Sequence, residues 1–123
     1  MAGEAILVVD DNPANVKLLR LLLEGEGYDV REAGDGRSAL AVLRTFRPRL
    51  ILMDVQLPGI DGLELTRRLK ADPLTRDVVV LGVTAAALDG DAERVLAAGC
   101  AEYFTKPLDL HRLRASITRH LRP

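Results

Sequence analysis

Short, unbroken apolar runs alternate along this chain with longer stretches in which apolar residues recur every three or four positions. The first run, Ala5–Val9, has the pattern of a strand buried on both faces. It stops at Asp10-Asp11-Asn12-Pro13, where Asp11 or Asn12 suits a helix cap and Pro13 the first helical position. Val16, Leu19, Leu22 and Leu23 follow at helical spacing until Gly25 and Gly27. The alternation continues with a strand over Tyr28–Ala33, a turn at Asp35-Gly36 and a helix over Ser38–Phe46. A third strand over Arg49–Met53 ends at Asp54, and Leu57-Pro58-Gly59 reads as a loop. A helix is predicted over Asp61–Lys70, with Leu65 and Leu69 inward and Asp72-Pro73 closing it. A fourth strand over Val78–Val83 ends at Thr84, and a helix over Asp91–Ala98 is stopped by Gly99. A fifth strand, Glu102–Thr105, ends at Lys106-Pro107, and Leu110, Leu113, Ile117 and Leu121 mark the apolar face of a last helix.

Five strand–helix units predict an α/β fold, a doubly wound parallel sheet of five strands with five helices and right-handed crossovers. No repeat, linker or low-complexity tract interrupts it, so residues 1–123 read as one domain. Gly82, inside the fourth strand, predicts a neighbour packed close against the backbone. The polar residues fall in one place. Asp10 and Asp11 follow the first strand, while Asp54, Thr84 and Lys106 end the third, fourth and fifth. In a parallel sheet these positions share the carboxyl edge, where open α/β sheets bind ligands at the reversal of strand order. The flavodoxin-like order 2-1-3-4-5 sets strands one and three side by side and gathers Asp10, Asp11 and Asp54.

Three carboxylates in one cleft repel one another, and without compensation one of them takes up a proton. A hard cation relieves this: Mg²⁺ prefers oxygen ligands in octahedral geometry, here two or three carboxylates, a backbone carbonyl near Gln56 and waters. Lys106 adds positive charge and Thr84 a hydroxyl donor. Cation, ammonium and hydroxyl around one carboxylate match the negative oxygens of an incoming phosphoryl group. The central carboxylate is then itself a candidate nucleophile.

Val8-Val-Asp-Asp-Asn12, the run from Leu52 to Gly62 (Leu-Met-Asp-Val-Gln-Leu-Pro-Gly-Ile-Asp-Gly), Val83-Thr-Ala85 and Tyr103-Phe-Thr-Lys-Pro107 resemble, in order and spacing, the motifs of response-regulator receiver domains of the chemotaxis (CheY-like) type. The stretch from Val83 to Tyr103 is similar to single-domain cell-cycle regulators of the DivK type and to receivers fused to hybrid kinases. The resemblance implies that Asp54 is the phosphoacceptor and that Asp10, Asp11, Asp54 and the Gln56 backbone carbonyl hold Mg²⁺. It implies that Thr84 and Lys106 contact the phosphoryl oxygens and that Lys106–Pro107 is a cis peptide. Thr84 and Tyr103 stand where the family has its switch residues, and Gln56 and Ala86 where it tunes phosphoryl lifetime. The implied partners are a histidine kinase or histidine phosphotransfer protein as donor, and a downstream protein met through the surface of residues 88–120. Such a protein is not a conventional enzyme, since it catalyses only its own phosphorylation and dephosphorylation.

Composition narrows the alternatives. With 17 basic against 18 acidic residues there is no basic face of the kind that nucleic acid requires. No apolar run is long enough to span a bilayer, and Ala5–Val9 is too short for a signal peptide. One cysteine, Cys100, excludes an internal disulfide and suits the cytoplasm; it reads as a small buried hydrophobe. His111 and His120 read as surface residues, and Arg112, Arg114, Arg119 and Arg122 as a solvated basic face that a partner can also use. The structural readings of the site residues are ordinary: Asp10-Asp11 and Thr84 as helix caps, Lys106 as a solvated lysine, Tyr103 as a packed ring. The leading rival function is a non-phosphorylated pseudo-receiver that only binds protein, against which the full acid set argues. An aspartyl-phosphate phosphatase would carry its nucleophile after the first strand with a second Asp two residues on. A flavodoxin would need a Ser/Thr/Gly-rich phosphate loop where this chain has Asp-Asp-Asn-Pro.

Overall fold

Continuous apolar runs need partners on both faces of a sheet, and the fold supplies them. A computed structural model describes residues 3–85 and 91–121. Its elements are β1 (Ala5–Val9), α1 (Pro13–Gly25), β2 (Asp29–Ala33), α2 (Gly36–Val42), β3 (Leu50–Asp54), α3 (Gly62–Ala71), β4 (Val79–Thr84), α4 (Asp91–Ala97), β5 (Glu102–Thr105) and α5 (Leu110–Leu121). All strand pairs are parallel, in the order β2-β1-β3-β4-β5.

The period of two in a strand divides each run between two cores. Ile6, Val8, Leu50 and Leu52 face one way, against Val16, Leu19 and Leu23 of α1 and Leu113, Ile117 and Leu121 of α5. Leu7, Val9, Ile51 and Met53 face the other, against Ala39 of α2, Leu63, Leu65 and Leu69 of α3, and Val95 of α4. Each fully buried leucine or isoleucine contributes about 1.5–3 kcal/mol, so the two cores fix the register of the edge that carries the polar residues.

Helix starts are set by side-chain caps. Asn12 accepts from the N–H groups of Ala14 and Asn15, so it caps α1, not Asp11. Asp35 accepts from Ser38 N–H at 2.7 Å and Asp61 from Glu64 N–H at 2.8 Å. α2 therefore begins at Gly36, two residues before the predicted Ser38, and Asp61 stands outside α3 as its cap. α2 also ends at Val42, short of Phe46, because Arg44 and Thr45 bond only three residues back and tighten the coil. β3 and β4 each run one residue further than predicted and include Asp54 and Thr84.

α5 is tied to β5 through one carboxylate. Glu102 accepts from Ser116, from Arg119 at 2.5 Å and from His120 at 2.7 Å. Burial pushes the Glu102 carboxyl up, but these three hydrogen bonds outweigh it and hold the group below its ordinary range. His111 is exposed as expected, whereas His120 is half-buried by this contact. Arg114 pairs with Glu26, and the Arg112 guanidinium lies 5.6 Å from the Phe104 ring centre, within cation–π range. Arg122 lies outside the described residues.

Gly82 has the crowding its position predicts. A Cβ there would lie 2.8 Å from Val95 Cγ1 and 3.3 Å from Cys100 Sγ, with Cys100 itself buried. Gly82→Ala is expected to lower unfolding free energy by about 1–3 kcal/mol, as overpacked cores do. Gly25→Ala, with nothing within 4 Å of the added Cβ, is the control and should leave stability unchanged or raise it. Urea midpoints of both variants check the contrast.

Candidate functional site

β1 and β3 are neighbours, with Val9 paired to Met53, so Asp10 and Asp54 emerge side by side one residue further on. β1 lies between β2 and β3, which puts this edge at the reversal of strand order. Asp10 is 6% and Asp54 3% exposed, while Asp11 is open to solvent. One carboxylate oxygen from each of Asp10, Asp11 and Asp54 lies within 4.8 Å of the other two.

The two buried carboxylates are oriented alike. Asp10 Oδ1 accepts the Asn12 N–H and Asp54 Oδ1 accepts the Gln56 N–H, each at 2.9 Å. Their Oδ2 atoms share one ammonium: Lys106 Nζ is 3.5 Å from Asp10 Oδ2 and 3.4 Å from Asp54 Oδ2. Lys106 is anchored by its own N–H, which donates to the Thr84 carbonyl at 2.8 Å, and it precedes a cis peptide to Pro107. Thr84 is buried at the end of β4, opposite Thr105. Burial pushes the Asp54 carboxyl above its ordinary value, and Asp10 adds to that; the Gln56 N–H and the Lys106 charge pull it down without cancelling it.

The donor set suits a small hard cation. Octahedral coordination at about 2.1 Å places ligand oxygens about 3–4 Å apart, a span that three carboxylates within 4.8 Å can meet by small side-chain shifts. Beside the acids, an open groove of about 470 Å³ runs along α1 past Lys17, Arg20, Glu32 and Ser38.

The structure thus gathers Asp10, Asp11, Asp54 and Lys106, with Thr84 at the adjoining strand end. Gln56 is exposed, its N–H on Asp54. Tyr103 is half-buried, packed against the core on the α2–α4 side. Ala86 lies outside the described residues. The amides of Asn12 and Gln56 were not read from the sequence as part of the site. Their signal is an Asp two residues before each, a spacing at which carboxylates bond the backbone.

The family described as the response regulator receiver domain matches residues 6–118. The chain belongs to that family. Similar curated proteins include the polar-differentiation response regulator DivK of Brucella anthropi, 42% identical over 118 residues, which are 96% of this chain and 96% of that protein. Among solved structures, the receiver domain of the sensor histidine kinase PA1611 from Pseudomonas aeruginosa has a TM-score of 0.86 at 38% identity, covering 96% of this chain and 97% of that one. That structure has a magnesium ion coordinated in its active site cleft. The chemotaxis response regulator CheY4 of Vibrio cholerae has a TM-score of 0.89 at 26% identity, covering 98% of this receiver and all of that chain. Receiver domains are signalling proteins, and among the described residues of this one no helix is long and apolar enough to cross a membrane.

The raised Asp54 carboxyl carries a stability consequence. A group that binds its proton more tightly when folded costs nothing below its unfolded value and opposes folding as pH rises through the folded one. Asp54→Asn removes that charge in nearly the same shape. In metal-free buffer it should melt higher than wild type at neutral pH, and the gap should close as pH falls below about 3.9, the ordinary Asp value. Paired thermal melts across that range test it.

Proposed function

We propose that this receiver accepts a phosphoryl group onto Asp54 from a phosphohistidine donor and signals by a change in protein binding. One observation carries the reading: a buried carboxylate, Asp54, shares a single ammonium with Asp10 while Asp11 closes the same cluster. A structural ion pair needs one acid for one lysine; a second and third acid at the same point call for a further positive charge.

In the proposed reaction an Asp54 carboxylate oxygen forms a bond to phosphorus as the donor's P–N bond breaks. The freed imidazole keeps that electron pair and takes up a proton. Asp10, Asp11, Asp54 and the Gln56 backbone carbonyl would hold Mg²⁺, which when bound offsets charge on the acids and on the phosphoryl oxygens. The Gln56 N–H fixes Asp54 Oδ1, leaving Oδ2 toward Lys106. Lys106 then follows the new negative charge, and the Thr84 hydroxyl donates to a phosphoryl oxygen. Thr84 and Tyr103 form the switch, biasing a two-state surface. The donor is a histidine kinase or histidine phosphotransfer protein, and the downstream partner is a protein met on the surface of residues 88–120, of which 88–90 lie outside the described residues. On this reading the whole 1–123 stretch works as one cytoplasmic receiver that catalyses only its own phosphorylation and dephosphorylation, with neither nucleic acid nor membrane as a partner.

Incubation with acetyl phosphate and Mg²⁺ should add one phosphoryl mass to wild type and none to Asp54→Asn; intact-mass spectra that show equal labelling would remove Asp54 from its role. Mg²⁺ should also raise the melting temperature of wild type, because it binds the assembled acids better than the unfolded chain. Asp10→Ala should lose most of that rise, and superimposable wild-type melts with and without Mg²⁺ would end the metal assignment.

A further inference from the structure

α3 begins hard against the strand that carries Asp54. A Cβ on Gly62 would lie 2.2 Å from the Asp54 carbonyl oxygen and 2.9 Å from Val55 Cα, and the Gly62 N–H donates to the Val55 carbonyl at 3.1 Å. One turn on, Thr66 is completely buried and donates its hydroxyl to the Gly62 carbonyl at 2.7 Å. It shares the buried face of α3 with Leu63, Leu65 and Leu69, so valine would keep its shape there without bringing in a polar group. A threonine bonded back to the carbonyl four residues earlier bends a helix at that point. Here the bond falls on the turn that rests on Asp54.

We propose that Thr66 is a positioning residue for the phosphoryl chemistry: through the Gly62 carbonyl its hydroxyl holds the first turn of α3 against the Asp54 main chain and so sets the carboxylate's place relative to Lys106. The proposal rests on Asp54 being the acceptor. Reacting groups tolerate little displacement, and a shift of about 1 Å made from a distance slows chemistry by up to about a hundredfold.

The test is the rate of phosphoryl uptake from acetyl phosphate at saturating Mg²⁺, each variant held well below its own melting temperature. Thr66→Val, which keeps the shape and loses the hydroxyl, should react about tenfold more slowly. Thr66→Ser, which keeps the hydroxyl and loses a methyl, should react at the wild-type rate even where it melts lower than Thr66→Val. If Thr66→Val does not fold, Thr66→Ala takes its place as the variant without the hydroxyl. A wild-type rate in the hydroxyl-free variant overturns the proposal, as does an equal slowing in Thr66→Ser. Asp54→Asn is run beside them: if it labels like wild type, the acceptor assignment fails and this proposal with it. If it stays unlabelled while Thr66→Val reacts normally, the positioning role alone is lost.

Discussion

Everything at the carboxyl edge of this sheet is arranged around like charge held too close together. Asp10 and Asp54 are buried neighbours because their strands are neighbours, and one ammonium stands against both. Desolvation disfavours the Asp54 charge, and Asp10 beside it disfavours that charge again. A stability-driven design would have replaced one acid with an apolar or amide side chain. Its retention leaves more negative charge at this edge than one ammonium balances, which is the condition the proposed metal and phosphoryl roles rest on.

The same geometry assigns different tasks to the two oxygens of each acid. The i+2 amides of Asn12 and Gln56 fix the Oδ1 atoms and prevent either carboxylate from turning. The Oδ2 atoms are left to a long side chain that enters from β5, two strands away from β3, and is anchored by its backbone to Thr84. The ammonium is thus tethered to the strand end whose hydroxyl belongs to the proposed switch. On the proposed reading, a change of charge at Asp54 would reach β4 and β5 through Lys106.

Much of this was legible in the sequence because the apolar pattern and the punctuation agreed. Unbroken runs at Ala5–Val9 and from Leu50 to Met53 required a sheet covered on both faces, and that requirement fixed which residues end the strands. The acids, Thr84 and Lys106 follow from strand ends alone. Boundaries were less legible. Asp35 and Asp61 each bond an amide three residues on, and a cap of that kind moves the helix start without altering the apolar spacing. His120 read as a surface residue because its partner, Glu102, is 18 positions away and on another element.

What the sequence showed only in part is close backbone contact. Asp61-Gly62 reads as the start of a helix, and nothing in its spacing says that Gly62 lies on the main chain of Asp54. Gly82 gave a hint, since a glycine inside a strand needs a reason, and the reason is Val95 and Cys100. A Cβ at Gly62 would meet the main chain of the acceptor strand, and one at Gly82 would meet Val95 and Cys100. Side chains set the charge at Asp54, but its main chain is met at Gly62 by a helix turn where no side chain fits. A buried hydroxyl at Thr66 is costly unless it is satisfied, and its bond to the Gly62 carbonyl leads into that contact. The polar atom in the core is therefore explained by what it holds in place, not by any stability it adds.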